Sequence, residues 1–80
     1  MFYVYIIVSQ AKPDRLYIGF STRPEERLEE HNVGKNPSTV TSAPWRIANV
    51  ISFRSKQKSL EFEHYLKSGS GRAFIRRHLL

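Results

Sequence analysis

Two runs of β-branched and aromatic residues near the N-terminus constrain the fold more than any other feature of this sequence. Residues 2–8 and 16–20 consist almost wholly of such residues and aliphatic ones, and these types favour β-strands. The segment between the runs is polar and contains Pro13 and Asp14, which are residue types common in turns. The two runs therefore predict a β-hairpin with a long loop.

The two-residue period of a β-strand sorts the side chains of this hairpin into two faces. Phe2, Val4 and Ile6 lie on one face of the first strand, whereas Tyr5 lies on the other. If the purely apolar sets of the two strands line up, Tyr5 and Tyr17 share a face of the sheet.

The residues that follow the hairpin predict a helix that opens at Thr22 and ends near Asn32. Thr22 and the glutamate three residues later have capping-box spacing, and a proline falls in the first turn, where its missing N–H has no cost. One side of the helix is acidic, and the other carries Arg27, Leu28 and His31. Because water solvates the acidic side, we expect Arg27 and His31 to face the protein. The acidic residues are Glu25, Glu26, Glu29 and Glu30.

The second half of the chain alternates loop, strand and helix. Residues 33–45 lack periodicity and predict a loop, and residues 46–53 predict a third strand. Ser55 can cap a second helix that runs through Lys67. Residues 68–71 break that helix, and a short basic helix is expected to close the chain.

Length and composition limit the class of protein. Eighty residues accommodate one core of ordinary size, so we expect a single domain over residues 1–80. The 40% hydrophobic content favours a folded chain over a disordered one. The absence of cysteine excludes disulfides and thiolate metal sites. No apolar run is long enough to span a bilayer and no signal peptide is evident, so we expect a cytoplasmic protein without a membrane anchor.

Positive charge is concentrated in the C-terminal half. The chain has 13 Lys and Arg against 7 Asp and Glu, a net charge of +6, and the excess lies entirely within residues 41–80. Such a surface favours phosphate-bearing partners such as nucleic acid. Alternatively, the charge merely keeps the protein soluble. The candidate nucleic-acid contacts are Lys35, Lys56, Lys58, Lys67, Arg72, Arg76 and Arg77.

Five residues form the candidate catalytic set, namely Tyr5, Tyr17, Arg27, His31 and Glu63. Each has a structural alternative, since tyrosines pack in strands, Arg27 can pair with Glu63 and His31 can interact with a helix dipole. Together they suit phosphodiester hydrolysis. A single carboxylate with water can hold Mg²⁺, a guanidinium binds phosphate oxygens, and a phenol or imidazole can deprotonate water.

Several short motifs resemble those of the GIY-YIG nuclease superfamily, in the family's order. Residues 3–5 and 16–19 are similar to the paired GIY and YIG motifs, and residues 27–32 to the signature of the first helix. Residues 44–45 and 60–67 resemble the remaining features of small stand-alone bacterial members, which are similar to the N-terminal domain of an excinuclease subunit. The resemblance covers nearly the whole chain.

The resemblance implies an α+β fold in which helices flank a three-stranded antiparallel sheet. It also implies a one-metal site, with Glu63 binding Mg²⁺ or Mn²⁺, Arg27 stabilising the transition state and His31 in a supporting role. Tyr5 and Tyr17 correspond to the motif tyrosines, one of which assists the attacking water. Tyr3 is a departure, because it stands in place of the glycine that gives the first motif its name.

The implied function is endonuclease cleavage of DNA, including branched or single-stranded DNA, with RNA as a second candidate and DNA repair as the setting. Larger members carry separate domains that choose the DNA, so specificity here would come from the chain's own surface or from a protein partner. We expect a monomer or a weak dimer. The rival interpretations are a nucleic-acid-binding module without catalysis and a subunit that needs its partner.

Overall fold

The computed structural model describes residues 1–80 and contains a three-stranded antiparallel sheet in the order β2-β1-β3. The strands are β1 (Phe2–Ser9), β2 (Leu16–Ser21) and β3 (Trp45–Phe53). The most continuously apolar strand, β1, occupies the centre and is buried from its third residue onwards. The predicted hairpin and the predicted α+β class are both confirmed.

Helices cover both faces of this sheet. They are α1 (Pro24–Asn32), α2 (Lys56–Leu66) and α3 (Gly69–Phe74), with a 3₁₀ turn at Val40–Ser42 and a π-helical turn at Ile75–Leu79. The face covered by α2 and α3 has a core of Val4, Ile6, Ile18, Leu66 and Ile75. The face covered by α1 has a second core of Tyr5, Ile7 and Trp45, against which Tyr17, Leu28, Ala43 and Ile47 pack.

The register of the hairpin places the two motif tyrosines together. Tyr5 lies opposite Gly19, and Tyr17 lies opposite Ile7. Because paired residues point to the same side of a sheet, both phenols lie on the face covered by α1. Their ring centroids are 6.3 Å apart, which confirms the prediction of a shared face.

A β-bulge in β3 changes which of its side chains face α1. Ile6 lies opposite Asn49 but the next residue, Ile7, lies opposite Ile47, so Ala48 is the extra residue on β3. A bulge shifts the alternation by one position. Ile47 therefore packs in the Tyr5 core, while Asn49 faces the other way and its Nδ2 donates to the carbonyl of Leu79 at 2.7 Å. Because the bulge turns Asn49 to this face, its hydrogen bond attaches the C-terminal turn to the sheet.

The start of α1 differs from the prediction. Arg23, not Thr22, is the N-cap residue, and no side chain caps it. The hydroxyl of Ser21 instead accepts a hydrogen bond from the Arg23 N–H at 2.8 Å. Ser21 is the last residue of β2 and is buried. Its hydroxyl therefore already lies beneath the turn that follows the strand. The predicted capping box at Thr22 is therefore wrong, whereas the predicted end at Asn32 is confirmed.

The caps of α2 and α3 come from serines. The Ser55 hydroxyl accepts from the Lys58 N–H at 3.1 Å, as predicted. The Ser68 hydroxyl accepts from the Gly71 N–H at 3.1 Å and donates to the carbonyl of Tyr65 at 2.6 Å. The predicted break after α2 is confirmed, but the glycines that cause it already belong to α3. The longest helix has 11 residues, and no helix combines the length and apolarity needed to cross a membrane.

Gly71 marks the closest approach of α3 to α2. A Cβ at this position would lie 2.0 Å from the carbonyl oxygen of Tyr65 and 2.4 Å from the Cα of Leu66. These are backbone atoms, so only movement of a helix could relieve the contact. The α2–α3 packing therefore requires glycine at this position.

We expect Gly71→Ala to destabilise the fold by about 1–3 kcal/mol or more, because overpacking against backbone forces the helices apart. Gly69→Ala is the matched control, since a Cβ there has open space within 4 Å. The control should be neutral or slightly stabilising, because alanine is the better helix former. Urea denaturation measures both variants. Equal effects would contradict the assigned packing.

Candidate active site

The phenol of Tyr5 passes over Gly19 on the edge strand β2. A Cβ on Gly19 would lie 2.3 Å from both Cζ and Oη of Tyr5. The Tyr5 side chain is buried, and it extends from the central strand across its neighbour. The glycine of the second motif therefore provides the space in which the hydroxyl of the first motif lies.

His31 receives this hydroxyl on the inner side of α1. Its side chain is fully buried, and its Nε2 lies 3.1 Å from the Tyr5 hydroxyl. Its Nδ1 lies 2.8 Å from the hydroxyl of Thr39. The ring of Tyr17 is 4.7 Å from the imidazole between centroids. The predicted inward face of α1 is thus confirmed, and three of the five candidate residues form one cluster of rings.

Arg27 lies one turn before His31 and pairs within its own helix. Its Nη1 is 2.5 Å from the Oε1 of Glu30, and 33% of its side chain is exposed. The alternative of an ion pair with Glu63 is wrong, because α1 and α2 pack on opposite faces of the sheet while Glu30 is one turn away on the same helix.

Glu63 comes from the helix layer on the opposite face of the sheet to Tyr5. It lies on α2 with 21% of its side chain exposed, and its Oε2 is 3.2 Å from the Nζ of Lys67. Lys67 and Arg72 line a hollow of about 180 Å³ at the β2 edge together with Tyr17. The structure therefore brings Tyr17, Lys67 and Arg72 together directly, and connects Glu63 to them through its ion pair.

The protonation states of Tyr5 and His31 follow from burial. Burial raises the pKa of Tyr5; the positive charge of Arg27 opposes this shift, while Tyr17 and Glu63 add to it. Burial lowers the pKa of His31, and the charge of Arg27 lowers it further against the opposing effect of Glu30. At neutral pH a protonated phenol therefore faces a neutral imidazole.

The other basic candidates lie apart from this cluster. Lys35 borders a hollow that it shares with Glu26, Glu29 and Glu30, so its charge is offset by acidic neighbours. Lys56 and Lys58 are exposed on α2, and the Lys58 ammonium lies 3.8 Å from Glu61. Arg76 and Arg77 are exposed on the C-terminal π-helical turn. Contact of these five residues with nucleic acid stays a prediction.

Sequence reasoning placed Thr39 in an aperiodic loop and missed its role in the core. Thr39 is buried, and its carbonyl accepts a hydrogen bond from the indole Nε1 of Trp45 at 2.9 Å. Trp45 is likewise buried, so it is a core residue and does not offer a stacking surface. No periodic pattern marks Thr39, since its partners lie in other elements.

The five candidate residues offer a divalent metal ion one carboxylate. No cluster of three or more His, Asp or Glu residues that could hold a metal ion occurs in the chain. Glu63 is the only carboxylate among the five candidate residues. Mg²⁺ keeps several waters and needs only one or two protein carboxylates, so the single carboxylate of Glu63 fits a hydrated ion of this kind, which would take the place of Lys67 as its partner.

Most of the sequence also matches known proteins. The GIY-YIG catalytic domain matches residues 1–76. The structure-specific endonuclease subunit SLX1 of Scheffersomyces stipitis is 39% identical over 68 residues, which are 76% of this chain and 20% of that protein. The corresponding subunit of Candida dubliniensis is 38% identical over 83 residues, covering 95% of this chain and 28% of that protein.

A relative of similar size is also found. The UPF0213 protein of Staphylococcus haemolyticus is 35% identical over 69 residues, which are 85% of this chain and 82% of that protein. The chain thus spans most of this relative, but only 20% and 28% of the two SLX1 subunits.

We expect Gly19→Ala to displace the Tyr5 phenol and to lower the free energy of unfolding by about 1–3 kcal/mol. In a Tyr5→Leu background the same change should cost less than about 1 kcal/mol, because the phenol that meets the new methyl group is gone. Urea denaturation of the four proteins gives the coupling energy of the pair. An equal cost in both backgrounds would show that Tyr5 does not occupy the space over Gly19.

We expect protonation of buried His31 to destabilise the fold. Because folding lowers its pKa, the unfolded chain binds the proton more readily. The stability is fully present above about pH 6.5 and is lost as the pH falls through the folded-state pKa, by up to about 1.4 kcal/mol per pH unit. The titratable or charged groups that face His31 are Tyr5, Tyr17, Arg27 and Glu30.

Urea midpoints measured across this pH range in wild type and His31→Gln would test the effect. The variant should lose this part of the acid sensitivity. His64→Gln is the control, because His64 is exposed on α2. The assignment fails if His31→Gln loses stability in acid as steeply as wild type does.

Proposed function

The chain belongs to the GIY-YIG catalytic domain family, and we propose that it is an endonuclease that hydrolyses phosphodiester bonds of DNA. The observation that carries the proposal is the buried pair of Tyr5 and His31, joined at 3.1 Å. The charges of Arg27 and Glu63 shift the pKa of the same phenol in opposite directions. A phenol with a neutral acceptor behind it, a guanidinium and a carboxylate suit phosphoryl transfer to water.

Tyr5 is the group that activates water in this proposal. Its oxygen accepts a proton from the water while its own proton passes to the Nε2 of His31. The water oxygen forms the new bond to phosphorus, and the bond from phosphorus to the leaving sugar oxygen breaks. The leaving oxygen takes a proton from solvent, and the imidazolium of His31 afterwards gives up the proton it received, which restores the starting state. Tyr17 packs against the imidazole and keeps it beside Tyr5.

Arg27 stabilises the negative charge that this step creates. Its positive charge already opposes the rise in the pKa of Tyr5, so it favours a phenol oxygen that has lost its proton. Its side chain is one-third exposed, which leaves guanidinium N–H groups available to a phosphate. The ion pair with Glu30 fixes the orientation of the guanidinium.

Glu63 is the residue that would hold a divalent metal ion, on which nucleases of this family generally depend. When bound, such an ion polarises the phosphate and stabilises the leaving oxygen. Glu63 is 21% exposed and pairs with Lys67, which is 49% exposed. Lys67 is the more exposed partner, so in this proposal its side chain turns to a substrate phosphate. We propose Mg²⁺ or Mn²⁺ as the ion.

The hollow formed by Tyr17, Lys67 and Arg72 is the proposed contact for the DNA backbone next to the cleaved bond. Its two cations supply charge at the edge of β2, where the candidate site is accessible. Two of the relatives are named as subunits of structure-specific endonucleases. We propose by analogy that branched or single-stranded DNA is cleaved and that a partner protein adds specificity.

The rival function is binding of nucleic acid without cleavage. The net charge of +6 favours it equally, but a positively charged surface does not require a buried phenol–imidazole pair. The rival predicts binding that weakens steeply with salt and no product in the presence of Mg²⁺ or Mn²⁺. The pairing of Tyr5 with His31 is the observation that favours the enzyme.

We expect wild-type protein to cleave single-stranded, duplex or branched DNA in the presence of Mg²⁺ or Mn²⁺. Glu63→Gln and Arg27→Ala should each lower kcat by about 10²–10³-fold, because each removes charge stabilisation from the transition state. Labelled oligonucleotides analysed by denaturing electrophoresis measure the rates.

Each variant has a matched control on its own helix. Glu61→Gln removes an exposed carboxylate two residues from Glu63, and Arg23→Ala removes an exposed guanidinium one turn from Arg27. Both controls should retain wild-type kcat. Cleavage that is unchanged in Glu63→Gln and Arg27→Ala, or absent from wild type while binding persists, would refute the enzymatic assignment.

A further inference from the structure

We propose that Thr39 is a positioning residue that fixes the tautomer of His31, so that Nε2 is the nitrogen that accepts the proton of Tyr5. The inference deepens the proposed function and rests on it for its catalytic consequence. Its structural part is the position of the hydrogen on the His31 imidazole, which can be measured without any activity assay. It assigns a role to the loop between α1 and β3, which the mechanism above does not use.

The direction of the hydrogen bonds follows from the acceptor at the end of the chain. The Thr39 hydroxyl lies 2.8 Å from the His31 Nδ1 and 3.3 Å from the carbonyl oxygen of Asn36. A carbonyl oxygen only accepts, and we infer that the single hydrogen of the hydroxyl points to Asn36, whose carbonyl also accepts the N–H groups of Thr39 and Val40 at 3.1 Å. The hydroxyl oxygen then accepts from His31, which places the imidazole hydrogen on Nδ1; the same placement lets the buried Tyr5 phenol donate to Nε2, its side-chain partner.

The other ring nitrogen is thereby left with a lone pair. A neutral imidazole carries one hydrogen, and with that hydrogen on Nδ1 the Nε2 can only accept. The Tyr5 hydroxyl lies 3.1 Å from Nε2 and therefore donates to it. A single ordered chain results, which runs from Tyr5 through His31 and Thr39 to the carbonyl of Asn36.

Thr39 is itself held in place by a closed set of contacts. It is 1% exposed, its N–H donates to Asn36, and its carbonyl accepts from the Trp45 indole at 2.9 Å. The side-chain amide of Asn32 binds both backbone groups of Trp45, at 2.5 and 3.0 Å. Asn32 directly follows His31. The hydrogen bonds between Asn32 and Trp45 therefore fix the loop at both of its ends.

The opposite tautomer would reverse the chemistry of Tyr5. A hydrogen on Nε2 would be donated to the phenol oxygen, and the phenol hydrogen would point away from the imidazole. The phenol could then no longer pass its proton to His31 as it receives one from water. The Thr39 hydroxyl would also have to donate to Nδ1 and so abandon Asn36. The hydroxyl of Thr39 therefore selects the tautomer in which Tyr5 acts as a base.

The test is the nitrogen NMR spectrum of the histidine rings at neutral pH. In wild type we expect the His31 Nδ1 to show the shift of a protonated nitrogen and Nε2 that of an unprotonated one. Thr39→Val, which keeps the shape and removes the hydroxyl, should abolish this preference, and Thr39→Ser should restore it. Thr41→Val is the matched control, since Thr41 is exposed in the same loop, and should leave the His31 signals unchanged.

Cleavage kinetics provide the second measurement. We expect Thr39→Val to lower kcat by about tenfold or more with KM unchanged, because a histidine in the wrong tautomer is a poor proton acceptor. Thr39→Ser should recover most of the rate. A KM that rises with kcat unchanged would overturn the assignment, since it would place Thr39 in substrate binding.

The two proposals can fail separately. A wild-type spectrum with the hydrogen on Nε2 overturns the inference even if the protein cleaves DNA, and this result needs no variant to fold. A hydrogen on Nδ1 that depends on the Thr39 hydroxyl supports the inference even if no cleavage occurs, in which case only the proposed function fails. A Thr39→Val protein that keeps the wild-type tautomer and kcat also overturns the inference.

Discussion

The contact of a phenol with a glycine across two neighbouring strands organises this protein. Tyr5 belongs to the central strand and is buried on the face beneath α1, yet its hydroxyl lies over Gly19 of the edge strand. Any larger residue at Gly19 would close this path. A residue of the central strand that is only 1% exposed therefore places its hydroxyl over the edge strand. His31 contacts that hydroxyl, Thr39 contacts His31, and the charge of Arg27 affects the pKa of the phenol.

The sheet separates the two halves of the candidate site. The hydrogen-bonded pair of Tyr5 and His31 lies on the face covered by α1, and the carboxylate Glu63 comes from α2 on the other face. In the proposed mechanism they would meet one phosphate around the outer edge of β2. That edge is also where Lys67 and Arg72 form a hollow with Tyr17.

Local periodicity explains which features could be predicted. The two-residue period of the strands predicted the shared face of Tyr5 and Tyr17, and the helical period of α1 predicted that His31 faces inward; both are confirmed. The β-bulge at Ala48, the pairing of Arg27 with Glu30 and the contact of Thr39 with His31 were not predicted. The bulge and the Thr39 contact depend on where distant segments meet, and the pairing of Arg27 depends on which of several nearby carboxylates it reaches. The pattern of neighbouring residues in the sequence therefore does not predict these contacts.

The loop between α1 and β3 illustrates how a segment without periodicity can still be highly determined. Its composition resembles that of a flexible connection, but Thr39 and Ser42 are fully buried and the indole of Trp45 closes over the backbone of Thr39. A buried polar side chain costs free energy unless it is hydrogen-bonded, so the Thr39 hydroxyl is retained in the core only together with its partners. The imidazole of His31 is one of these partners. The packing that orders the loop and the hydrogen bond that orders the imidazole are therefore the same set of contacts.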